Sequence, residues 1–265
     1  MKPLPLMRTR ALGIVAVVLS AATLAPAQPG EAAAVRVCAH PAPGFFTRDA
    51  SGQPAGLEFD LLSGFGAATK RKVTFDGAPS FAQLLNDTEA GNCQIGASTV
   101  TVTEERRKRL QFSVPYFPNR IVVVQKTATG FARESDLKNQ RVAVVTGTIS
   151  ERLVNAMPGV LPVPVKDDAA AFEALQKGEV HALACDSAVV LHHLGQNNDL
   201  GLAFPIGERS FFGFALPLDS KLGASLDQYL KGLVRSGEFA KILARHFGAA
   251  NAEMLARDVA ETIGK

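Results

Sequence analysis

Five residues in the sequence have the types and positions that a small charged ligand requires. Hydroxyl side chains end the buried segment ASTVTV at Ser98, Thr99 and Thr101, and Arg106 lies five residues after the last of them. An arginine carries a permanent charge on a planar fork, which can bind a carboxylate through two hydrogen bonds. Asp186 lies at the end of another apolar segment, HALACDS, and is a natural partner for an ammonium group. Together these residues predict a site for a zwitterion.

Each of the charged residues also has an ordinary structural interpretation. Arg106 begins the basic run RRKR, which would usually be a solvated face, and it could pair with Glu104 or another neighbouring carboxylate. Asp186 could be only the N-cap of a helix, and Thr148 could likewise be only a cap. Their common placement just after predicted strands favours the binding interpretation, because ligands of open α/β sheets bind beyond the carboxyl ends of the strands.

The elements that must position these residues are predicted by apolar runs that alternate with amphipathic segments. Strands VRVCA, KVTF and CQIGAST alternate with helices GLEFDLLSGFGAATK and SFAQLLNDTEAG. A second round has strands RVAVVTGT, VLPVPV and HALACDS, helices ISERLVNAM and DDAAAFEALQKG, and a short helix over 188–194. This alternation predicts an α/β fold with parallel sheets covered by helices on both faces. Four N-caps are predicted from residue type, at Ser80, Thr103, Thr148 and Asp167.

The two rounds are separated by one long apolar strand, RIVVVQK, and a second extended segment, RSFFGFALP, leads back out. Helices are predicted over 221–235 and 238–247. This order of elements predicts two lobes joined by two crossings. The site residues then lie where the two lobes face each other.

The first 27 residues differ from the rest of the chain. Lys2, Arg8 and Arg10 precede an apolar run over 11–25, and small residues follow it, which is the pattern of a secretory signal peptide over 1–27. These three basic residues account for the whole formal charge of +3, so the remaining chain is close to neutral. A neutral chain offers no electrostatic basis for binding nucleic acid or an anionic membrane. We expect a soluble exported protein.

Export allows the three cysteines of the chain to form a disulfide. Cys38 and Cys93 lie in strand-like segments of one predicted sheet, whereas Cys185 lies in the second round. A bond between Cys38 and Cys93 would stabilise the chain by about 4 kcal/mol in the chain-entropy account, with Cys185 left as a buried thiol. Three reduced, buried cysteines are the alternative, since connectivity cannot be deduced from sequence.

Four segments resemble the motifs of one known family, the periplasmic substrate-binding proteins of ABC transporters, family 3, which bind polar amino acids. These segments are GQPAGLEFDLL, STVTVTEERRKRLQFSVPYF, VAVVTGTISE and EALQKGEVHALACDS, and the resemblance covers about 35–247. It implies the two-lobed periplasmic binding protein fold of type II, which closes on its ligand about two hinge crossings. The first lobe would comprise 35–118 and 217–265, and the second 119–216.

The resemblance also implies roles for the site residues. Arg106 would bind the α-carboxylate with help from Thr101 and Thr148, while Thr99 and Asp186 would contact the α-amino group. Three further residues would complete the site: Ser98 on the same rim, Phe81 against the ligand side chain, and Phe45 as a second aromatic wall. For Phe81, packing in the core of a helix is the alternative.

Two departures from the family pattern concern the site, one in the side-chain pocket and one near the ligand's carboxylate. His40 stands where many amino-acid binders have an acid, and Ile149 replaces a second threonine. We therefore expect recognition of the ligand's main chain without a preference for a basic side chain. The segments RVCAHP and GNCQIG are also similar to a subgroup found beside periplasmic quinoprotein dehydrogenases.

The function implied by the resemblance is capture of an amino acid, or a related small zwitterion or carboxylate, and its delivery to a membrane ABC permease. We expect a monomer with no cofactor, no metal and no nucleic-acid partner. One alternative is a lyase similar to cyclohexadienyl dehydratases, although no Glu or Lys is placed for general acid catalysis. Another is a sensor or dehydrogenase partner protein, which the presence of both Arg106 and Asp186 disfavours. No role is assigned to the tail over 249–265.

Overall fold

The computed structural model describes residues 34–194 and 199–264 of the chain. Its helices are α1 (Leu57–Thr69), α2 (Phe81–Glu89), α3 (Glu104–Arg107), α4 (Ile149–Asn155), α5 (Asp168–Lys177), α6 (Ser187–Leu194), α7 (Gly223–Ser236), α8 (Glu238–Phe247) and α9 (Ala249–Ile263). Its strands are β1 (Val35–Ala39), β2 (Thr47–Arg48), β3 (Pro54–Ala55), β4 (Val73–Gly77), β5 (Ile95–Ala97), β6 (Leu110–Phe112), β7 (Phe117–Lys126), β8 (Arg141–Val145), β9 (Leu161–Val165), β10 (Ala182–Asp186), β11 (Leu200–Phe212) and β12 (Ala215–Pro217). The predicted alternation of strands and helices is confirmed.

One five-stranded sheet has the order β4-β1-β5-β12-β6. Strand β1 runs parallel to β4 and β5, and β12 is antiparallel to β5 and β6. Because Ala39 is in register with Ala97, the residues that follow these two strands, His40 and Ser98, emerge at the same edge. The core beneath this sheet contains buried side chains from α1, α7, α8 and α9. This sheet and its helices form the first lobe.

The second sheet has the order β11-β7-β10-β8-β9. Strands β9, β8 and β10 are mutually parallel neighbours, so their carboxyl ends share one edge. Thr148 follows β8, Asp168 follows β9, and Asp186 ends β10. The topology therefore collects three polar residues that are far apart in sequence at one edge of the second lobe.

Two strands link the lobes. Strand β7 begins at Phe117 in the first core and continues to Val122 and Val124 in the second. Strand β11 starts with Leu200 in the second core and ends with Phe212 in the first. The predicted two-lobed α/β fold is confirmed.

The pairing of β12 bears on the second predicted crossing, at about residue 217, which stays a prediction. Ala215 is already paired with Gly96 and Phe112, so β12 belongs to the first sheet. The local sequence FFGFALP is apolar throughout, so it contains no signal for the point at which the chain changes sheets. The other bounds of the lobes remain a prediction.

The four predicted N-caps are confirmed. In each case the side chain accepts a hydrogen bond from the backbone N–H three residues later, at 2.8–3.3 Å. These capping residues are Ser80, Thr103, Thr148 and Asp167. Such bonds satisfy N–H groups that the helix itself leaves free. They also determine where α3 and α4 begin, and with them the positions of the residues that face the other lobe.

Cys38 and Cys93 form a disulfide, with their Cα atoms 5.7 Å apart, and Cys185 is a buried free thiol. This is the predicted pairing. The bond connects the end of β1 to the turn before β5, two neighbouring strands of the first sheet. It therefore restrains the edge at which His40 and Ser98 emerge.

The tail of the chain forms α9, whose Ala252, Leu255 and Val259 are buried in the first core. Asp258 on the same helix lies 2.6 Å from Arg209 of β11. The predicted signal peptide, 1–27, lies outside the described residues. Within the described ranges, no helix is long and apolar enough to cross a membrane.

Candidate functional site

A narrow cleft lies between the two lobes, where the carboxyl-terminal edges of their sheets meet. The first lobe contributes His40, Phe81, Ser98, Thr99, Thr101 and Arg106, and the second contributes Thr148, Ile149, Ser150, Asp168, Cys185 and Asp186. The cleft has a cavity of about 30 Å³, which is room for no more than about two or three water molecules. A molecule as large as an amino acid can enter only if the lobes move apart.

Arg106 is the cationic group of the cleft. Thr103 caps α3, which makes Arg106 the third residue of that helix and directs its guanidinium away from solvent; the residue is 7% exposed. Its Nη1 donates to the carbonyl of Thr101 at 2.9 Å, and its Nη2 donates to the carbonyl of Gly147 at 3.5 Å. Burial lowers the pKa of Arg106 to about 10, and the charge of Asp186 opposes this shift. The guanidinium therefore remains charged at neutral pH.

The other arginines of the run RRKR are not buried in the cleft. Arg107 lies 3.8 Å from Glu104, and Arg109 lies 2.6 Å from Glu89, both at the surface. The alternative in which Arg106 pairs with Glu104 is therefore wrong. Arg106 forms no ion pair within 4.0 Å in the described part of the chain. A buried guanidinium with unused donors and no carboxylate partner has the charge and the hydrogen-bond donors that an anion requires.

Asp186 is the principal anionic group opposite. Its carboxylate accepts a hydrogen bond from the side-chain amide of Asn119, and Ser187 donates to the Oδ1 of Asn119 at 3.3 Å. Burial raises the pKa of Asp186 to about 6, whereas the Asn119 hydrogen bond and the charge of Arg106 act in the opposite direction. Within the described residues the carboxylate bonds to no backbone N–H of α6, so the interpretation as a mere N-cap is wrong.

The hydroxyls of Ser98, Thr99 and Thr101 line the first-lobe wall and are buried. None of these three hydroxyl groups forms a hydrogen bond with another described residue, so all three are available to a ligand. Thr99 has a backbone φ of 48°, which is uncommon for a β-branched residue. Its N–H donates at 2.7 Å to Glu58, a fully buried carboxylate that also accepts from the Tyr116 hydroxyl. Glu58 thus holds the wall in its conformation.

Thr148 lines the cleft from the second lobe, but its hydroxyl is already engaged. It donates to the carbonyl of Val145 at 2.6 Å and lies 2.7 Å from the Ser150 hydroxyl. Help from Thr148 in binding a carboxylate therefore stays a prediction. Ser150 is a cleft residue that the sequence reasoning missed, because it lies inside a helix pattern.

The two aromatic residues that were predicted to contact the ligand lie in different environments. Phe81 lines the cleft, with the guanidinium of Arg106 5.1 Å from its ring centroid. Phe45 does not: it is 0% exposed and packs in the first core, with its ring centroid 4.8 Å from that of Phe117 and 5.7 Å from that of Phe212. The assignment of Phe45 to the aromatic wall is wrong, because the crossing strands β7 and β11 bring two rings over it.

Sequence reasoning also missed the cleft residue Asp168 and the hydrogen-bond partner of Asp186, Asn119. The sequence did contain a signal for Asp168: because Asp167 caps α5, a second aspartate next to it is not needed for the cap. For Asn119 no local signal existed, because its partner Asp186 is 67 residues away. Among the described residues no group of three His, Cys, Asp or Glu side chains is placed to hold a metal ion.

A sequence profile of the bacterial extracellular solute-binding proteins, family 3, matches residues 35–249. A protein of Neisseria gonorrhoeae named "Probable histidine-binding protein" is 30% identical to this chain over 238 residues, covering 83% of this chain and 85% of that protein. The "ABC transporter arginine-binding protein 1" of Escherichia coli (strain K12) is 27% identical over 212 residues, covering 77% and 86% respectively.

A solved structure of an ancestral arginine-binding protein bound to arginine superimposes on this chain with a TM-score of 0.76 at 27% identity. The match covers 81% of this chain and 98% of that one. The similarity therefore extends over both lobes and the cleft between them.

Proposed function

The chain belongs to the bacterial extracellular solute-binding proteins, family 3, and from this premise we propose that it is a periplasmic receptor for an amino acid or a related small zwitterion. It captures the ligand between its lobes and delivers it to an ABC permease in the membrane. Export through the signal peptide over 1–27 and action as a monomer are parts of the same proposal. The names of the relatives, which refer to histidine and arginine, support an amino acid as the ligand.

One observation carries the proposal: the buried guanidinium of Arg106 faces the half-buried carboxylate of Asp186 across the cleft without an ion pair between them. Burying an unpaired charge costs free energy unless a partner arrives. A zwitterion supplies a carboxylate for Arg106 and an ammonium for Asp186 at once. The free hydroxyls of Thr99 and Thr101 complete the hydrogen bonds on the first-lobe side.

The order of ligand binding and lobe closure follows from the positions of Arg106 in the first lobe and Asp186 in the second. The carboxylate binds first to Arg106 and the hydroxyls of the first lobe, while the lobes are apart. Closure about β7 and β11 then brings Asp186 and the start of α4 against the ligand. A ligand shifts this equilibrium only through contacts that the open state lacks, and a few kcal/mol of such contacts are sufficient. The permease would recognise the closed state.

Isothermal titration calorimetry with the twenty common L-amino acids tests this function. We expect saturable binding of at least one of them, and a loss of that binding for its decarboxylated analogue and for its α-amide, each of which lacks the carboxylate. Thermal unfolding in the same solutions should shift upward with ligand concentration. Absence of binding by every amino acid, with the protein folded, would overturn the proposal.

A further inference from the structure

The last helix, α9, lies beyond the part of the chain that the family profile matches. The profile ends at residue 249, and α9 comprises Ala249–Ile263. The helix is nevertheless built into the molecule, because its Ala252, Leu255 and Val259 are buried in the first core and it contacts the crossing strand β7. An addition that is packed this closely against a crossing strand has the position needed to affect how the lobes move.

Strand β11 is irregular where it passes between the lobes. Ile206 lies opposite Ile121 of β7, but the next paired residue, Ser210, lies opposite Asn119. Four steps along β11 thus match two steps along β7, so β11 contains a bulge of two extra residues. Gly207 in this bulge has a φ of +72°. Because a bulge interrupts the ladder of hydrogen bonds and bends its strand, the lobes can turn at this point.

Helix α9 holds the bulge through an ion pair. Asp258 lies 2.6 Å from the guanidinium of Arg209, which belongs to the bulge. The two side chains are 31% and 54% exposed, respectively. The same guanidinium lies 5.4 Å from the ring centroid of Phe211. If the bulge changes its angle, the ion pair must stretch or break, because Asp258 is carried by a helix that is anchored in the first core.

A second contact between the lobes borders a cavity of about 440 Å³ beside α9. Met254 and Leu255 of α9 line this cavity, and so do Ala188 and Val190 of the second-lobe helix α6. Among the described residues, it shares no lining residue with the cleft. Ala188 is 1% exposed and is buried among residues of the first core, so the lobes touch here. The space next to this contact allows α6 to move against α9 without a clash.

Both contacts exist in a conformation whose cleft is almost shut. The cleft has a cavity of only about 30 Å³, so this is the closed state of the lobes. Turning the second lobe away at the bulge would pull Arg209 from Asp258 and Ala188 from the first core. Contacts that only the closed state makes shift the equilibrium towards that state.

We propose that α9 and its Asp258–Arg209 ion pair form a hinge strap, which favours the closed state of the lobes even when no ligand is bound. This inference goes beyond ligand capture, because it concerns the empty protein. The strap determines how often the lobes close without a ligand. It also lowers the free energy that a ligand must supply for closure, so it strengthens the binding of every ligand by the same factor.

Distances between the lobes of the ligand-free protein test the hinge strap. Spin labels on Lys108→Cys in the first lobe and Lys166→Cys in the second, both at exposed positions, report lobe separation by double electron–electron resonance. A sample without the introduced cysteines checks that the buried thiol of Cys185 takes up no label. We expect the otherwise unaltered protein to show two populations, one closed and one open.

Breaking the ion pair should move these populations. Asp258→Asn should raise the ratio of open to closed protein about two- to fivefold, since ion pairs that are partly exposed contribute modestly. Asp258→Arg and Arg209→Asp should each raise this ratio at least as much. The double variant that exchanges the two charges should return it to within about twofold of the starting value. Truncation of α9 is less informative, because it would also expose the first core.

Lys241→Glu is the matched control. It breaks an ion pair with Glu238 of the same length, 2.6 Å, which lies within α8 of the first lobe and does not reach a crossing strand. The distances between the labels should stay unchanged in this variant. Urea unfolding of all variants separates an effect on lobe closure from a general loss of stability.

Three results would overturn the hinge strap. The first is a ligand-free protein with no closed population, and the second is an unchanged distance distribution in Asp258→Asn. The third is a shift of equal size in Lys241→Glu. Because no ligand is present, these results do not depend on which molecule the receptor binds. Failure of every amino acid to bind would overturn the proposed function and leave this test of the hinge strap valid.

Discussion

The Nη2 of Arg106 lies 3.5 Å from the carbonyl oxygen of Gly147, so the buried cationic side chain of the first lobe contacts the backbone of the second. The same glycine lies against α2 of the first lobe, since a Cβ added to it would be 3.3 Å from the Cβ of Ala82. Gly147 of the second lobe therefore contacts both the ligand-facing Arg106 and helix α2 of the first lobe. A ligand that binds Arg106 would change the contacts of the loop between β8 and α4 directly.

Replacement of Arg106 by alanine should abolish ligand binding and leave the fold intact. Removing one member of a buried, hydrogen-bonded charge pair costs about 2–5 kcal/mol, so the affinity should fall at least about 30-fold. Calorimetry with the amino acid that the wild type binds most tightly measures this loss. Arg107→Ala is the matched control, because Arg107 is exposed and paired with Glu104. Equal binding by wild type and Arg106→Ala would show that the guanidinium does not hold the ligand.

Replacement of Gly147 by alanine should weaken binding by hindering closure. The residue has a φ of +81°, and the new methyl group would press on Ala82. Gly130→Ala separates these two effects, because Gly130 has a φ of +80° but no atom near its added Cβ. Both variants should lose roughly 1–2 kcal/mol of stability from backbone strain, measured by urea unfolding. Only Gly147→Ala should also lose affinity, and a similar loss in Gly130→Ala would remove closure as the cause.

Residues whose role depends on local chemistry were predictable from sequence. Thr103 caps α3 through a bond three residues away, and this short-range rule places Arg106 at the edge of the first sheet. Arg106, Thr99 and Asp186 could therefore be assigned to one cleft once the parallel sheets were recognised.

Residues whose role depends on tertiary contacts were not predictable in this way. Phe45 lies in the core because Phe117 and Phe212 arrive on the two crossing strands. The tautomer of His40 depends on Ala78, which lies 38 residues away. Asp168 looked like part of a helix start, and only the geometry of the cap shows that Asp167 alone performs that task.

Glu58 should be replaceable by glutamine but not by alanine. Its Oε1 accepts from Thr99 and Tyr116, and glutamine keeps an acceptor there without a buried charge. Glu58→Ala leaves these buried donors unpaired and should cost about 2–4 kcal/mol of stability. Urea unfolding of the two variants measures the difference. Equal losses in both would mean that the volume of the side chain, and not its acceptor, is what matters.

The free energy of unfolding of the wild-type protein should depend on pH because of Glu58. Burial raises the pKa of Glu58 in the folded protein from 4.5 to about 7. The folded state then binds the proton more tightly than the unfolded state, so the stabilisation is complete below about pH 4.5 and is lost as the pH rises through 7. Relative to Glu58→Gln, the wild type should lose up to about 3 kcal/mol between pH 4.5 and 8. A constant difference across this range would exclude a raised pKa.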